Sequence, residues 1–496
     1  MRKSKILLIF MIFICSLTIT ACVNLDNKNN IVAPNNNSCP IEGTWKIDFS
    51  NLDKDSKLRL RLKNKDVIIN SKYIILGNEV CKSPDFKVKT VKTEEYFLYK
   101  LKSNPNKLNL DKKEIEVIST SSDNNPFYDF IKIDEKELLV YVDNQLLVLT
   151  KKSNSSSIEP KHNIIEKDSQ QDIVMPKRYT LLRTGVLIGL KSSKEDYVDE
   201  YKNEKKYRTI FISSRNRNLK NVIETENLFV PRKDGFCEIG VNRINNLSNI
   251  QDAIFVNPLY NNYPIKNNFR LEQDIKNKNI YRDILFVSND YISIEYNDIN
   301  KDKPIDLYKV KMLPIDNINA MAGVNIGDII DKDSEKILAS SLESCIRSKD
   351  KDILNKLERS CRKDSFFLSR RNGHWILKGR LNGINDKEEY IDFNINTEIP
   401  KKILNYDDLH LSWNSIKSKV PNALDAYTSP NKDLAIITTE KELYVYTIED
   451  GKLSNKAIYE MELNKETVVM AEWATADYSK KWTDSILKNK NAHIIK

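Results

Sequence analysis

The chain has 496 residues, of which 40% are hydrophobic and 30% are charged, with only 12 Gly and 15 Pro. This balance is typical of globular domains and excludes collagen-like and low-complexity classes, and the length predicts two or three domains. The formal net charge of +9 is spread over mixed Lys, Asp and Glu without a basic run, so no nucleic-acid partner is predicted.

Residues 1–21 have the organisation of a secretory signal peptide. Arg2, Lys3 and Lys5 are positive, and the apolar run at 6–14 is too short for a stable spanning helix. The closing residues Ile-Thr-Ala-Cys resemble the lipobox of bacterial lipoproteins. The resemblance implies cleavage before Cys22 and a diacylglycerol on its sulfur, which would hold the mature chain at the membrane. An ordinary secretory signal with a chance Cys is the alternative.

A small β domain is predicted after the signal. Residues 22–38 are rich in Asn and predict a flexible tether. Residues 39–152 predict an antiparallel barrel or sandwich of about eight short strands. Two of these strands are expected at Leu58 to Leu62, where leucines alternate with basic residues, and at Tyr96 to Leu101.

The first strand of this domain carries a weak family signal. Gly43-Thr44-Trp45 resembles the G-x-W opening of lipocalin-like barrels. A core Trp on the first strand of any β fold is the alternative. In both cases Trp45 is expected to face the core.

A second, larger domain is predicted after a linker. Residues 153–178 lack periodicity and carry Ser, Pro, Gln and Asp, which is typical of a linker. Residues 179–496 predict a β-rich domain with hairpins at Asn289-Asp290 and Asn372-Gly373. Its paired strands resemble pieces of β-propeller blades, but no fixed repeat is visible, so a large β-sandwich is the equal alternative.

Two helical segments interrupt the strand pattern of the second domain. Residues 334–361 predict a helical insertion, in which Ile337, Leu338 and Leu342 share one face. A C-terminal helix is predicted from about Tyr478 to Leu487. The fold class is therefore mainly β with few helices.

Five cysteines follow Cys22, at positions 39, 81, 237, 345 and 361. Cys39 and Cys81 lie in one small exported domain and form the candidate disulfide. Cys345 and Cys361 are expected at opposite ends of a helix pair, roughly 15 Å apart, so no bond is predicted between them. Buried thiols are the alternative for all five cysteines.

Motifs for catalysis are missing from the sequence. H-E-x-x-H, G-x-S-x-G and the P-loop pattern do not occur, so no catalytic residue, cofactor or metal ligand is predicted. Asp331, Asp333 and Glu335 alternate as in a calcium loop, but Lys336 stands where that loop needs Gly. Gly185 and Gly189 have the wrong spacing for a phosphate loop and predict a strand with two small residues.

These features predict a non-catalytic binding or interaction module, anchored on the extracytoplasmic face of the cell membrane through Cys22. The expected partner is an envelope protein or a wall polymer. An envelope glycan hydrolase that uses paired carboxylates is one alternative, and a lipid or small-ligand carrier through the N-terminal barrel is another. The segments Pro231 to Phe236 and Met470 to Thr475 resemble uncharacterised surface lipoproteins of low-GC Gram-positive bacteria, which implies a location but no activity.

Overall fold

The structure is a computed structural model that describes residues 31–32, 39–50, 52, 56–77, 79–101, 110, 112–122, 125–142, 145–155, 182–193, 197–245, 249–259, 278–300, 303–330, 333–384 and 389–496. The signal peptide, Cys22 and nearly all of the tether lie outside the described residues. So does the predicted linker, apart from residues 153–155. Among the described residues, no helix has both the length and the apolar character needed to cross a membrane.

The fold is mainly β, as the sequence predicts. The chain forms two compact units. The first comprises residues 1–96 and 106–163, and the second comprises residues 97–105 and 164–496.

The first unit is built on one ten-stranded sheet that curls into a half-barrel. Its order is β1-β6-β7-β8-β9-β10-β2-β3-β4-β5, and its pairs are antiparallel. The strands are β1 (Ile31–Val32), β2 (Gly43–Asp48), β3 (Asp66–Ile69), β4 (Tyr73–Leu76), β5 (Glu79–Lys82), β6 (Asp85–Lys92), β7 (Glu114–Ser122), β8 (Asn125–Lys132), β9 (Glu137–Val142) and β10 (Gln145–Ser153).

Trp45 anchors the core of this half-barrel. It is 1% exposed, and its indole N–H donates to the Ile41 carbonyl at 3.2 Å. Ile47, two residues along β2, is buried in the same cluster. The expectation that Trp45 faces the core is confirmed.

The strand expected at Leu58 to Leu62 is wrong, because these residues form helix α1 (Lys57–Leu62). The Ser56 side chain caps the helix by accepting from the Arg59 backbone N–H at 3.1 Å. Leu58 and Leu62, four residues apart, are buried, while Leu60 is 65% exposed. Alternation over six residues places apolar side chains at i and i+4 as well as at i and i+2, so the pattern fits either period.

The strand expected at Tyr96 to Leu101 is also wrong. The chain there forms a short helix α2 (Thr93–Glu95) and a π-helix (Tyr96–Lys100). Tyr96, Phe97 and Leu101 are all buried, which is a helical spacing rather than a strand spacing.

The second unit carries four further sheets in a four-bladed, propeller-like arrangement. Sheet A has the order β28-β11-β12-β13-β29, sheet B runs from β14 to β19 in chain order, sheet C runs from β20 to β22, and sheet D holds β23 to β27. Their strands are β11 (Arg183–Ser193), β12 (Lys205–Arg215), β13 (Asn218–Glu226), β14 (Leu228–Arg232), β15 (Gly235–Asn245), β16 (Ile250–Pro258), β17 (Lys278–Val287), β18 (Tyr291–Asn300), β19 (Lys303–Pro314), β20 (Phe366–Arg371), β21 (His374–Asn382), β22 (Tyr390–Asn394), β23 (Asp425–Thr428), β24 (Leu434–Thr438), β25 (Glu442–Glu449), β26 (Lys452–Leu453), β27 (Tyr459–Glu462), β28 (Thr467–Thr475) and β29 (His493–Ile494).

Sheet A joins the beginning of the second unit to its end. β28 pairs antiparallel with β11, from Thr184 opposite Thr475 to Lys191 opposite Thr467. Gly185 and Gly189 lie on β11, as the predicted strand with two small residues requires. A Cβ on Gly189 would lie 2.8 Å from both Leu228 Cδ2 and Met470 Cβ, so only glycine fits this contact.

The predicted hairpins and helices of this unit are present. β17 and β18 turn at Asn289-Asp290, and β20 and β21 turn at Asn372-Gly373, where φ is positive at both residues. The helices are α3 (Ile326–Ile329), α4 (Ser334–Arg347), α5 (Lys351–Leu354), α6 (Trp413–Lys419) and α7 (Asp477–Ile486), with 3₁₀ turns at Glu200–Lys202 and Ile315–Asn317. α7 is the predicted C-terminal helix, and its Tyr478 is 65% exposed.

We predict that substitution of two leucines of α1 by alanine lowers the free energy of unfolding by different amounts. Leu62 is fully buried, and a Cβ on Gly77 would lie 2.6 Å from Leu62 Cδ2, so Leu62→Ala leaves a cavity. It should destabilise the first unit by about 2–5 kcal/mol. The matched control Leu60→Ala, on the exposed face, should cost less than about 0.5 kcal/mol. Calorimetry of the full chain measures both, and equal shifts would contradict the helix.

Candidate functional site

The second unit contains a small polar cleft that is open to solvent. It lies between β18, β19, the end of β21 and the chain at 358–365. The side chains that line it are mostly charged or polar: Tyr296, Lys309, Val310, Lys311, Met321, Glu358, Arg362, Asp364, Ser365, Arg380 and Asn382. Four of them are cationic and two are anionic, and one of the cations, Arg380, is itself paired with Asp392 and Glu295 outside the lining.

An irregularity in the β18–β19 pairing determines on which face of β19 the lysines of the cleft lie. The register shifts between Asp298 and Tyr296, so that one extra residue of β19 lies opposite the gap, and regular pairing resumes with Tyr296 opposite Lys309. Beyond that point, strand alternation places Lys309 and Lys311 on the same face of β19.

Tyr308 lies within this irregularity and has φ of 51°, in the left-handed region that bulky residues rarely adopt. Its N–H donates to Asn297 Oδ1 at 2.6 Å. Its carbonyl accepts from Arg380 Nη1 at 2.9 Å and from Asn382 Nδ2 at 3.2 Å. Local strain of this kind persists where surrounding hydrogen bonds fix it, often next to functional sites.

Each cation of the cleft rim is held by a partner. Lys309 forms an ion pair with Glu358 at 3.5 Å, and Arg362 forms one with Asp364 at 2.8 Å. Lys311 Nζ donates to backbone carbonyls near the mouth and lies 5.0 Å from the Tyr296 ring centroid. Burial and the neighbouring charge of Arg282 lower the pKa of Lys311. The site therefore presents partly desolvated positive charge.

Arg380 forms the floor of the cleft, with a side chain only 4% exposed. Its guanidinium donates to both carboxylate oxygens of Asp392, at 2.6 and 3.1 Å, and to Glu295 at 2.5 Å. Burial raises the pKa of Glu295, and Arg380 opposes that shift. This group joins sheet B to sheet C and fixes the floor rigidly.

A group of tyrosines adjoins the floor, here called the tyrosine cluster (Tyr201, Tyr281, Tyr308 and Tyr390). The Arg380 guanidinium carbon lies 3.9 Å from the Tyr390 ring centroid. Tyr390 and Tyr308 have centroids 4.9 Å apart, and Tyr201 packs edge-on against Tyr308 and Tyr281 at 5.6 and 5.5 Å. Tyr390 is 39% exposed, so the cluster reaches solvent at this residue.

A second titratable group lies on β28. Glu472 is 8% exposed and pairs in register with the buried Leu187. Burial, with the like charge of Asp290, raises the pKa of Glu472 to about 8. Asp290 is in the β17–β18 turn, with its side chain 63% exposed and 3.7 Å from Arg232. Glu472 and Asp290 are therefore a carboxyl pair with different environments.

The structure carries the five described cysteines as thiols. Cys39 and Cys81 pack in or against the same core, so the predicted disulfide between them stays a prediction. Burial raises the pKa of Cys39 and of Cys361 to about 11 and that of Cys237 to about 12. Cys345 and Cys361 both pack against the core that joins sheets B and C. Thiols in such environments are poorly reactive.

The acidic residues of the calcium-loop pattern and the histidines at 374 and 410 do not line the cleft. Glu335 pairs with Lys363, and Asp333 pairs with Lys336 at 3.0 Å, while Asp331 lies outside the described residues. His374 Nδ1 lies 3.3 Å from the Asp407 carbonyl, and Tyr406 Oη lies 2.9 Å from His410 Nε2. Within the described ranges, no group of three or more His, Cys, Asp or Glu side chains converges as metal ligands would.

Sequence reasoning missed the residues that line the cleft. The alternation of Lys309 and Lys311 about Val310 is a signal for one cationic strand face, and it is readable from the sequence. Arg362 and Arg380 carry no comparable signal, because they reach the cleft through pairing and turns far from β19 in the chain.

Comparisons with models of protein families, with curated proteins and with solved structures find no match to this chain.

We predict that Glu472 makes stability depend on pH. Its ordinary pKa is 4.5 and its folded pKa is about 8, so between these values the folded chain holds a proton that the unfolded chain has released. Stability should therefore be fully present below about pH 4.5 and fall as the pH rises to about 8. Glu472→Gln should remove this slope and gain about 3–5 kcal/mol relative to wild type over that window.

Denaturant unfolding of the full chain at several pH values measures this slope. Glu440→Gln, at an exposed position of the same unit, is the matched control and should keep the wild-type slope. An unchanged slope in Glu472→Gln would show that Glu472 is ionised in the folded protein.

Proposed function

We propose that this chain is a lipoprotein anchored through Cys22 on the extracytoplasmic face of the cell membrane, and that its second unit is a non-catalytic module that binds an anionic ligand. The observation that carries the binding proposal is the cleft with Lys309, Lys311, Arg362 and Arg380. A wall polymer with phosphate groups is the ligand class that suits this charge.

The cations at the rim support binding of an anion. At the rim, Lys309 is paired with Glu358, and Arg362 is paired with Asp364. Solvent weakens ion pairs at such positions, so a phosphate can compete for the two cations. Arg and Lys together supply the fork-like and point-charge donors that phosphate oxygens accept.

One pair of carboxyl groups supports the glycan-hydrolase alternative. Glu472, protonated near neutral pH, has the property of a general acid, and Asp290 is the more exposed partner. Neither residue lines the cleft, whereas the carboxylates beside Arg380 are neutralised by it. This alternative therefore ranks second, and it requires that Glu472→Gln abolish hydrolysis of a wall glycan.

The carrier alternative concerns the half-barrel of the first unit. Its core is occupied by Trp45, Leu62, Phe130 and other packed side chains. A carrier needs an open apolar cavity at that place. The packed core therefore gives the carrier alternative less support than the cleft gives to anion binding.

The anchor is tested by Cys22→Ala. Because the lipid is the proposed attachment, the variant should be released from the membrane or remain unprocessed, since a stable anchor requires acyl chains. Membrane fractionation measures this. Cys15→Ala, in the same signal peptide, is the matched control and should be processed normally. Full membrane retention with normal processing of Cys22→Ala would contradict the anchor.

Anion binding is tested with inorganic polyphosphate as the probe. The double variant Lys309→Ala/Arg362→Ala should bind it at least about tenfold more weakly than wild type, because two charge-assisted contacts are lost. Affinity in wild type should also fall as salt is raised. Lys336→Ala, an exposed lysine on α4, is the control and should stay within about twofold. Equal affinity in the double variant would overturn the proposed site.

A further inference from the structure

We propose that Met321 is a site at which a peroxide oxidises this protein, and that the resulting sulfoxide weakens binding of an anion in the cleft. Met321 lines the cleft but is not among the cations proposed to bind the anion. The effect on the cleft rests on the proposed anion binding, whereas the site of oxidation rests on the exposure of the sulfur.

Exposure separates Met321 from the other methionines that the structure describes. Met321 is 96% exposed, whereas Met312 and Met470 are fully buried and Met461 is half-buried on β27. A thioether reacts where an oxidant can reach its sulfur, and close packing shields the two buried methionines. Of these four residues, Met321 is therefore the one that a dissolved oxidant attacks first.

The backbone on both sides of Met321 is held by side chains that line the cleft. Lys311 Nζ donates to the carbonyls of Ala320 and Met321, at 3.2 and 3.3 Å. Two residues further on, the Gly323 N–H donates to Asp364 Oδ2 at 3.2 Å. The exposure of the thioether is thus a property of the fold, because the backbone that carries it is fixed at the cleft.

The reaction is a two-electron oxidation of the thioether. With hydrogen peroxide, the sulfur forms a bond to one peroxide oxygen, the O–O bond breaks, and the second oxygen leaves with both protons as water. The peroxide is reduced, and an apolar side chain becomes a polar sulfoxide. A methionine sulfoxide reductase reverses this change.

A sulfoxide at this position adds a hydrogen-bond acceptor to the lining of the cleft. The donors that line the cleft with Met321 include Lys311 and Arg362, and the Arg362 side chain is 65% exposed. The sulfoxide oxygen therefore competes with phosphate oxygens for these donors. Oxidation should weaken anion binding without unfolding the chain, because the side chain that changes is exposed.

Peptide mapping by mass spectrometry, after a limited dose of hydrogen peroxide, tests the site of oxidation. In the folded full chain, Met321 should be oxidised at about the rate measured in urea. Met312 and Met470 should react at least about tenfold more slowly in the folded chain, because packing shields them. Oxidation of either buried methionine as fast as Met321 would overturn the assignment.

Binding of inorganic polyphosphate tests the effect on the cleft. Oxidised wild type should bind it about threefold more weakly than the untreated chain, the change expected when one donor is diverted from the ligand. Treatment with a methionine sulfoxide reductase should restore the affinity. Met321→Gln, which carries a neutral acceptor oxygen, should show the weaker affinity without peroxide.

Two further variants control this experiment. Met321→Leu should keep its affinity after peroxide treatment, whereas Met461→Leu should lose affinity as wild type does. If wild type binds polyphosphate and oxidation leaves the affinity unchanged, or if Met321→Leu still responds to peroxide, control of the cleft by Met321 is wrong and anion binding stands. If the untreated chain does not bind polyphosphate, the proposed function fails, and the peptide mapping by itself still decides the site of oxidation.

Discussion

The second unit depends on the pairing of β11 with β28, which brings residues 184–191 together with residues 467–475. Sheet A cannot form until nearly the whole unit has been synthesised, and non-local pairings of this kind carry a large loop-closure entropy. Contacts next to the pairing reinforce it. Thr184 Oγ1 donates to the fully buried Asp433 at 2.8 Å, and Arg183 forms an ion pair with Asp477 at 2.8 Å.

The four sheets meet through joints of two chemical kinds. Apolar clusters join sheet A to sheets B and D, and another joins sheet B to sheet C. Where sheet C meets sheet D, Arg370 donates to Asp425 and Asp407 at 2.6 and 2.8 Å and lies 4.1 Å from the Tyr427 ring centroid. A buried ion pair gives little net stability, but it tolerates few alternative geometries, so this joint fixes how the two sheets pack.

The cleft and the tyrosine cluster also depend on a buried, ion-paired arginine that links two sheets. Arg380 on β21 reaches across to Glu295 on β18 and to the backbone of Tyr308 on β19. Its charge is balanced by Asp392 and Glu295, whereas Lys309 and Arg362 have their own carboxylate partners, Glu358 and Asp364. Glu472 stands apart from this balance, because burial keeps its carboxyl protonated near neutral pH.

The sequence by itself determined the class and many local elements of this protein. Alternating apolar residues predicted the mainly β fold, Asn372-Gly373 predicted a hairpin because both residues tolerate positive φ, and the phase of Trp45 with Ile47 predicted its burial. Each of these properties is set by a few adjacent residues. The segment at Leu58 to Leu62 shows the limit, since its pattern fits two periods and the Ser56 cap with the packing of Leu62 selected the helix.

Only the tertiary structure decided between propeller-like blades and a sandwich, and only it assembled the candidate site. The choice of architecture follows from which strands pair across hundreds of residues, as β11 and β28 do, and no local period records that pairing. The site likewise joins Lys309 and Lys311 to Arg362 and Arg380 from separate segments. Burial and neighbouring charges, which shift the pKa values of Glu472, Glu295 and Lys311, arise only when those segments meet, because they depend on distance in space rather than along the chain.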